Sequence, residues 1–163
     1  MADFLEPCLR SADPAIVIAT AAHRMLIATE LTARGINLPR LEAAGDLQML
    51  DADEMLGQFM SGADPDATKF HRIVDDVIDR ACKGRLPCPV RAYGEMVDIL
   101  WKRGNPEGAI RLELLWNGVA RHAQFSLLCG YAVGNFYKEV GSGPDRAAVC
   151  AVHNHVMEDE RSA

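Results

Sequence analysis

One run of six residues, Ala15-Ile-Val-Ile-Ala-Thr20, constrains this chain more than any other feature. It is apolar almost throughout, β-branched at its centre and too short for a helix, so it reads as a strand covered on both faces. A strand with no polar face needs helices above and below it, and the rest of the sequence supplies them. Residues 23–34 are predicted helical, with Met25, Leu26 and Leu31 near the helical repeat and Gly35 as C-cap. Residues 46–50 read as a second strand, and Asp51 followed three positions later by Glu54 has the spacing of a capping box. After a turn at 61–65, a helix is predicted over 66–83 on the spacing of Phe70, Ile73, Val74, Val77, Ile78 and Ala81. Pro87 and Pro89 flank the start of a third strand at 90–94. Helices follow over 95–103, ending at Gly104, and from Pro106 to near residue 120. A fourth strand covers 124–129, and a last helix falls within 144–155, ahead of a flexible tail at 157–163. Strands alternating with helices require right-handed crossovers. The expected fold is one α/β domain over residues 1–156, three-layer α/β/α, with a mostly parallel sheet of four or more strands.

Charge and motif content narrow the function. With 17 Lys and Arg against 23 Asp and Glu, the net charge is −6, and no basic stripe is present, which argues against direct nucleic-acid binding. The amino terminus lacks the basic-then-apolar order of a signal peptide, and the apolar stretch at 15–22 is too short to span a membrane. A soluble, cytoplasmic protein is expected. The cysteines are Cys8, Cys82, Cys88, Cys129 and Cys150; their odd number and irregular spacing predict reduced thiols. Cys129, inside an apolar run, reads as a small buried hydrophobe. Phosphate-loop, dinucleotide-fingerprint and nucleophile-elbow motifs are missing, so no catalytic centre and no cofactor are expected.

In an open parallel sheet, ligands bind beyond the carboxyl ends of the strands. That rule gathers His23 and Arg24 after the first strand, Glu95 after the third and Tyr131 after the fourth. Alternation puts Arg91, Tyr93 and Glu95 on one face, and Gly94 permits close approach of a backbone or ligand. Each residue also has an ordinary structural role open to it: Glu95 favouring a helix N-terminus, Arg91 as its ion-pair partner, His23 in a first helical turn. Trp101 and Trp116 suit helix-to-sheet packing better than a pocket wall. Glu113 reads as a solvated or paired surface carboxylate unless its helix turns it inward. Cys150, His153 and His155 have the spacing C-x2-H-x-H, but on a helix the two histidines diverge by about 200°. They are weak metal candidates, and no metal is expected.

Several blocks resemble one family. Residues 90–105 (VRAYGEMVDILWKRGN), 112–117 (LELLWN) and 125–131 (FSLLCGY) are similar to the MEDS domain, a sensory domain of methanogen and methylotroph signalling proteins that include a dichloromethane-responsive transcriptional regulator. Residues 16–24 (IVIATAAHR), the segment from Gly35 through GDLQMLDA at 45–52, and the closing VCAVHNHV at 149–156 match the family's other blocks. The resemblance implies a sensor of small organic compounds linked to histidine kinases or transcriptional regulators. It also implies kinship with the circadian-clock/RecA type of ATPase, here RecA-like without a phosphate loop. His23, Arg24, Arg91, Tyr93, Glu95, Glu113, Trp116 and Tyr131 are the ligand-site positions it suggests. Family members usually begin with a further strand and helix, where this chain has residues 1–14 only; an open sheet edge there leaves room for a homo-oligomer.

The leading expectation is therefore a non-catalytic sensory module that binds a small organic molecule and relays to a kinase or regulator. A protein-interaction module with a closed pocket is the alternative, and an enzyme using Glu95 and His23 as an acid–base pair is the third reading.

Overall fold

The structure is a computed structural model that describes residues 1–122, 124–132 and 146–153. Helix α1 (Ala2–Arg10) precedes strand β1 (Ala15–Ala19), followed by α2 (Ala21–Ala33), α3 (Leu38–Ala44) and β2 (Leu47–Asp51). Helix α4 (Ala52–Phe59) leads through the short strands β3 (Met60–Ser61) and β4 (Asp64–Pro65) into α5 (Ala67–Cys82). Then come β5 (Val90–Gly94), α6 (Met96–Lys102), α7 (Pro106–His122), β6 (Phe125–Cys129) and α8 (Arg146–Ala151). Four strands form the main sheet in the order β2-β1-β5-β6, and every pairing is parallel. The fold is a three-layer α/β/α arrangement.

All five residues of β1 are buried, as a strand without a polar face demands. Its side chains alternate between two cores. Ile16 and Ile18 join Ala92 and Phe125 beneath α4, α5, α6 and α7, while Ala15, Val17 and Ala19 join Tyr93 and Leu47 beneath α1, α2 and α3. The first core is built around aromatic contacts. Phe70 meets Phe59 edge-on at 5.4 Å and Trp116 edge-on at 4.9 Å, and Trp116 stacks on Phe125 at 5.8 Å. Each such pair contributes about 0.5–1.5 kcal/mol beyond the area it buries.

The helices predicted by apolar spacing form, with ends set by their caps. Asp51 accepts from the backbone N–H groups of Asp53 and Glu54 to start α4, and Asp66 accepts from Lys69 to start α5. Gly35, at φ +80°, follows α2 where a left-handed residue is needed. Two helices go beyond the prediction. In α1 the buried stripe is Ala2, Leu5, Cys8 and Leu9, a pattern obscured in the sequence by the charges around it and by Pro7 within the helix. In α3 only Leu38 is buried; the helix is so short that capping by Asn37 and packing define it, not periodicity.

The thiol expectation is corrected at one place: Cys82 and Cys88 form a disulfide. Helix α5 ends on Lys83 in the left-handed region (φ +52°), and the chain turns back at Gly84, which brings the two Cα atoms to 5.8 Å. Cys8, Cys129 and Cys150 are free thiols. No described helix is long and apolar enough to cross a membrane. The tail at 157–163 lies outside the described residues.

Candidate functional site

Parallel strands bring their carboxyl ends to one edge, where β1 runs into Thr20, β2 ends at Asp51, β5 runs into Glu95 and β6 into Gly130 and Tyr131. Among the described residues, the buried side chains of charged type are Glu95 (4% exposed), Asp98 (6%) and Glu113 (2%). All three are at this edge. A buried carboxylate is stable only where donors surround it, so the local partners define the site.

Glu95 is the hub of one half. Its Oε2 accepts from the Thr20 backbone N–H at 3.0 Å and from the Thr20 hydroxyl at 3.3 Å. Its Oε1 lies 2.5 Å from His23 Nδ1 and accepts from the Tyr93 hydroxyl at 2.8 Å. Thr20 is the N-cap of α2, yet its hydroxyl makes no capping bond and is spent on Glu95 instead. Burial, followed by the Glu95 charge, pushes the Tyr93 phenol far above its ordinary range, so it stays a donor. His23 remains 45% exposed on its side chain, and no described residue bonds its Nε2. Beside it, Arg24 donates to Asp51 Oδ2 at 2.8 Å, and its Nε is buried without a hydrogen-bond acceptor among the described residues.

Glu113 is the hub of the other half. It comes from α7, where Ala109, Leu112, Glu113 and Trp116 fall on one buried stripe, and Leu114 is the residue left 55% exposed. The surface-carboxylate expectation for Glu113 is corrected accordingly: its helical position makes it part of the core-facing side. The Tyr131 hydroxyl donates to Oε1 at 3.0 Å, Cys129 Sγ donates to Oε2 at 3.2 Å, and His153 Nε2 is 3.2 Å from Oε1. The hydrogen bond to Glu113 raises the pKa of His153, whereas desolvation, reinforced by the Glu113 charge, raises those of Cys129 and Tyr131. Cys129 is therefore more than an apolar filler. Asp98 lies between the halves, accepting from the Ala132 backbone N–H at 2.9 Å and pairing with Lys102 at 2.6 Å.

The halves touch. A Cβ placed on Gly130 would lie 2.5 Å from the Tyr93 hydroxyl oxygen, so glycine is what lets β6 run past the Tyr93–Glu95 pair. At Gly94 no neighbouring chain comes so close: within 4 Å a Cβ there would meet only Leu127, at an ordinary 3.8 Å. Of the eight residues expected at the site, His23, Tyr93 and Glu95 form one cluster, Glu113 and Tyr131 the other, and Arg24 stands beside them on Asp51. Arg91 and Trp116 are elsewhere. Arg91, near the amino end of β5, donates to the Phe4 carbonyl at 2.7 Å and lies over the Phe4 ring, so it serves α1 and does not pair with Glu95. Trp116 is inside the aromatic core.

Thr20, Asp98, Cys129 and His153 were missed as members of these clusters. Their signals were faint: an N-cap threonine, an acid in a helix of otherwise buried residues, and a thiol at a strand tip. His153 was paired in sequence with Cys150 and His155, but its partners in space are Glu113 and Cys129; His155 lies outside the described residues.

The family model described as MEDS, the methanogen/methylotroph DcmR sensory domain, matches residues 1–154. No curated protein and no solved structure matches the chain.

Proposed function

Because this chain belongs to the MEDS family of sensory domains, we propose that it senses a small organic molecule at the carboxyl edge of its sheet. One observation carries the reading: the three buried acids all sit at that edge, where parallel α/β sheets bind ligands. Burying carboxylates is costly, and groups held at such cost concentrate at functional sites. Glu95 is saturated by donors, so it fixes His23 and Tyr93, while Nε2 of the half-exposed His23 is left to meet a ligand. An acid-lined edge disfavours anions, so the ligand is neutral or cationic, apolar over most of its surface with one or two polar groups.

The same helix supplies a relay. Met25 and Leu26 follow His23 and Arg24 on α2 and are 68% and 62% exposed. An exposed apolar pair next to the ligand groups is a docking point for a kinase or regulator. The position after β1, where ATPases of the RecA type hold phosphate, carries Thr20 and His23 here, in keeping with a RecA-like ancestry and a changed ligand.

Thermal melting against a panel of small amines, alcohols and carboxylates tests the reading. Neutral or cationic compounds raise the Tm, and His23→Ala reduces that shift. A flat response across the panel overturns ligand sensing and favours the closed interaction module. A second reading, acid–base catalysis, has the Glu95-oriented His23 in its favour. Against it, no described hydroxyl or thiol bonds His23 as a nucleophile would. Turnover of any compound that binds, lost in His23→Ala, would establish it.

A further inference from the structure

We propose that Glu113, Cys129 and His153 bind a divalent transition ion of the zinc type, with a fourth position open to solvent. The inference concerns the Glu113 half and not the His23 half where the small molecule is placed, although Glu113 is one of the three buried acids behind that reading. The three residues come from α7, the tip of β6 and the segment after α8, and their ligand atoms lie within 4.8 Å of one another. A tetrahedral ion with bonds of about 2.0–2.3 Å holds its ligand atoms about 3.3–3.6 Å apart. Two of the contacts are already 3.2 Å, Glu113 Oε2 to Cys129 Sγ and Glu113 Oε1 to His153 Nε2. These contacts fall on different oxygens of the carboxylate, so binding through one oxygen asks Glu113 to turn and the three ligand atoms, within 4.8 Å of one another, to close in.

The surroundings are those of a built site. His153 Nδ1 is 2.7 Å from the Val149 carbonyl, which fixes the ring with Nδ1–H donating and Nε2 directed at Glu113. That is the outer contact by which metal-binding histidines are oriented. Tyr131 holds Glu113 from behind at 3.0 Å and packs edge-on to the His153 ring at 6.4 Å. Asn117, one helical turn from Glu113, donates to the Val152 carbonyl at 2.8 Å and so ties the His153 segment to the helix that carries the carboxylate. Glu113 is buried and the His153 side chain 20% exposed, which leaves one open side for a water or ligand. A soft thiolate, an imidazole and a carboxylate select a borderline ion over magnesium or calcium. Without the ion, the same carboxylate is held by donors from Cys129, Tyr131 and His153; an ion that displaces the Cys129 and His153 protons takes over their role. Cys150, although free, is not in the cluster.

The full chain, metal-stripped and kept oxidised at Cys82–Cys88, is titrated with Co2+ without air. Wild type is expected to give the near-ultraviolet sulfur-to-cobalt band and intense visible bands of a tetrahedral site, both removed by Zn2+. Cys129→Ser abolishes the sulfur band, Glu113→Gln and His153→Gln weaken binding, Tyr131→Phe weakens it by about tenfold, and Cys150→Ser leaves it unchanged. Circular dichroism confirms that each variant is folded, and zinc content of the untreated protein by mass spectrometry gives a second readout. Absence of the sulfur band in wild type, or its persistence in folded Cys129→Ser, overturns the proposal. Loss of zinc with intact small-molecule thermal shifts, or the reverse, separates this inference from the preceding one.

Discussion

Replacing Glu95 with alanine removes the acceptor on which Thr20, His23 and Tyr93 converge. Four donors then lose their partner: the Thr20 N–H, the Thr20 hydroxyl, His23 Nδ1–H and the Tyr93 hydroxyl. They are not equivalent. The His23 side chain is 45% exposed and Thr20 is partly exposed, so water replaces much of what they lose. Tyr93 is 5% exposed, so water does not readily replace the bond its hydroxyl makes to Glu95. A buried donor left without an acceptor costs about 1–3 kcal/mol, and the lesser losses at Thr20 and His23 bring the total to about 2–4 kcal/mol. Relief from burying a carboxylate works the other way, which holds the sum at that level despite four lost bonds. In urea, with a slope of about 2 kcal/mol per molar, the unfolding midpoint falls by about 1–2 M. Tyr93→Phe provides the internal control. It costs about 1.5–3 kcal/mol in the native background, where the acceptor is charged, and less than about 0.5 kcal/mol once Glu95 is alanine. If Glu95→Ala were as stable as the native protein or more so, the donors would not be compensating the buried charge. The carboxylate would then be held at a net cost in stability, as function-bearing residues often are.

Three further outcomes are expected. Opening the Cys82–Cys88 disulfide, by Cys82→Ser with Cys88→Ser, frees a short loop and costs about 2 kcal/mol from loop-closure entropy, read as a lower Tm; an unchanged melt would contradict it. The Tyr93 phenol has its folded pKa raised by burial, so its contribution is fully present below the unfolded value near 10 and is lost as pH rises beyond it. The stability gap between native protein and Tyr93→Phe should stay constant from about pH 6 to 9 and shrink above about pH 10; a gap that widens there would refute the sign. Gly130→Ala forces the Tyr93 ring away from β6, costs about 1–3 kcal/mol and alters the near-ultraviolet circular dichroism; a spectrum and midpoint like those of the native protein would show that the close approach is not limiting.

The sheet was legible because each main strand is a short apolar or alternating run bounded by Pro, Gly or a capping acid. The Val90–Gly94 strand and the helix after Asp66 needed nothing beyond local pattern. Helix α1 was hidden because its buried stripe of Ala2, Leu5, Cys8 and Leu9 is interrupted by charge and by Pro7. Half of the site followed from topology alone: once the strands are parallel, His23 and Glu95 must come to the same edge. For Glu113 the sequence reading favoured the surface and left the inward position as the exception, although the spacing 109-112-113-116 carries the signal, because an acid among leucines invites an outward reading. The neighbouring Leu114 takes the outward position instead.

Local sequence determined which segments become strands and helices, since that depends on periodicity and capping within a few residues. It also determined that β1 would be covered on both faces, because no polar side is available. Only the tertiary structure decided that Cys82 reaches Cys88, that Arg91 turns to α1, and that Glu113, Cys129 and His153 share one small space. Those outcomes depend on the angles at which whole elements pack. Such angles are set by the summed burial of many side chains, a quantity that no short stretch of the chain contains.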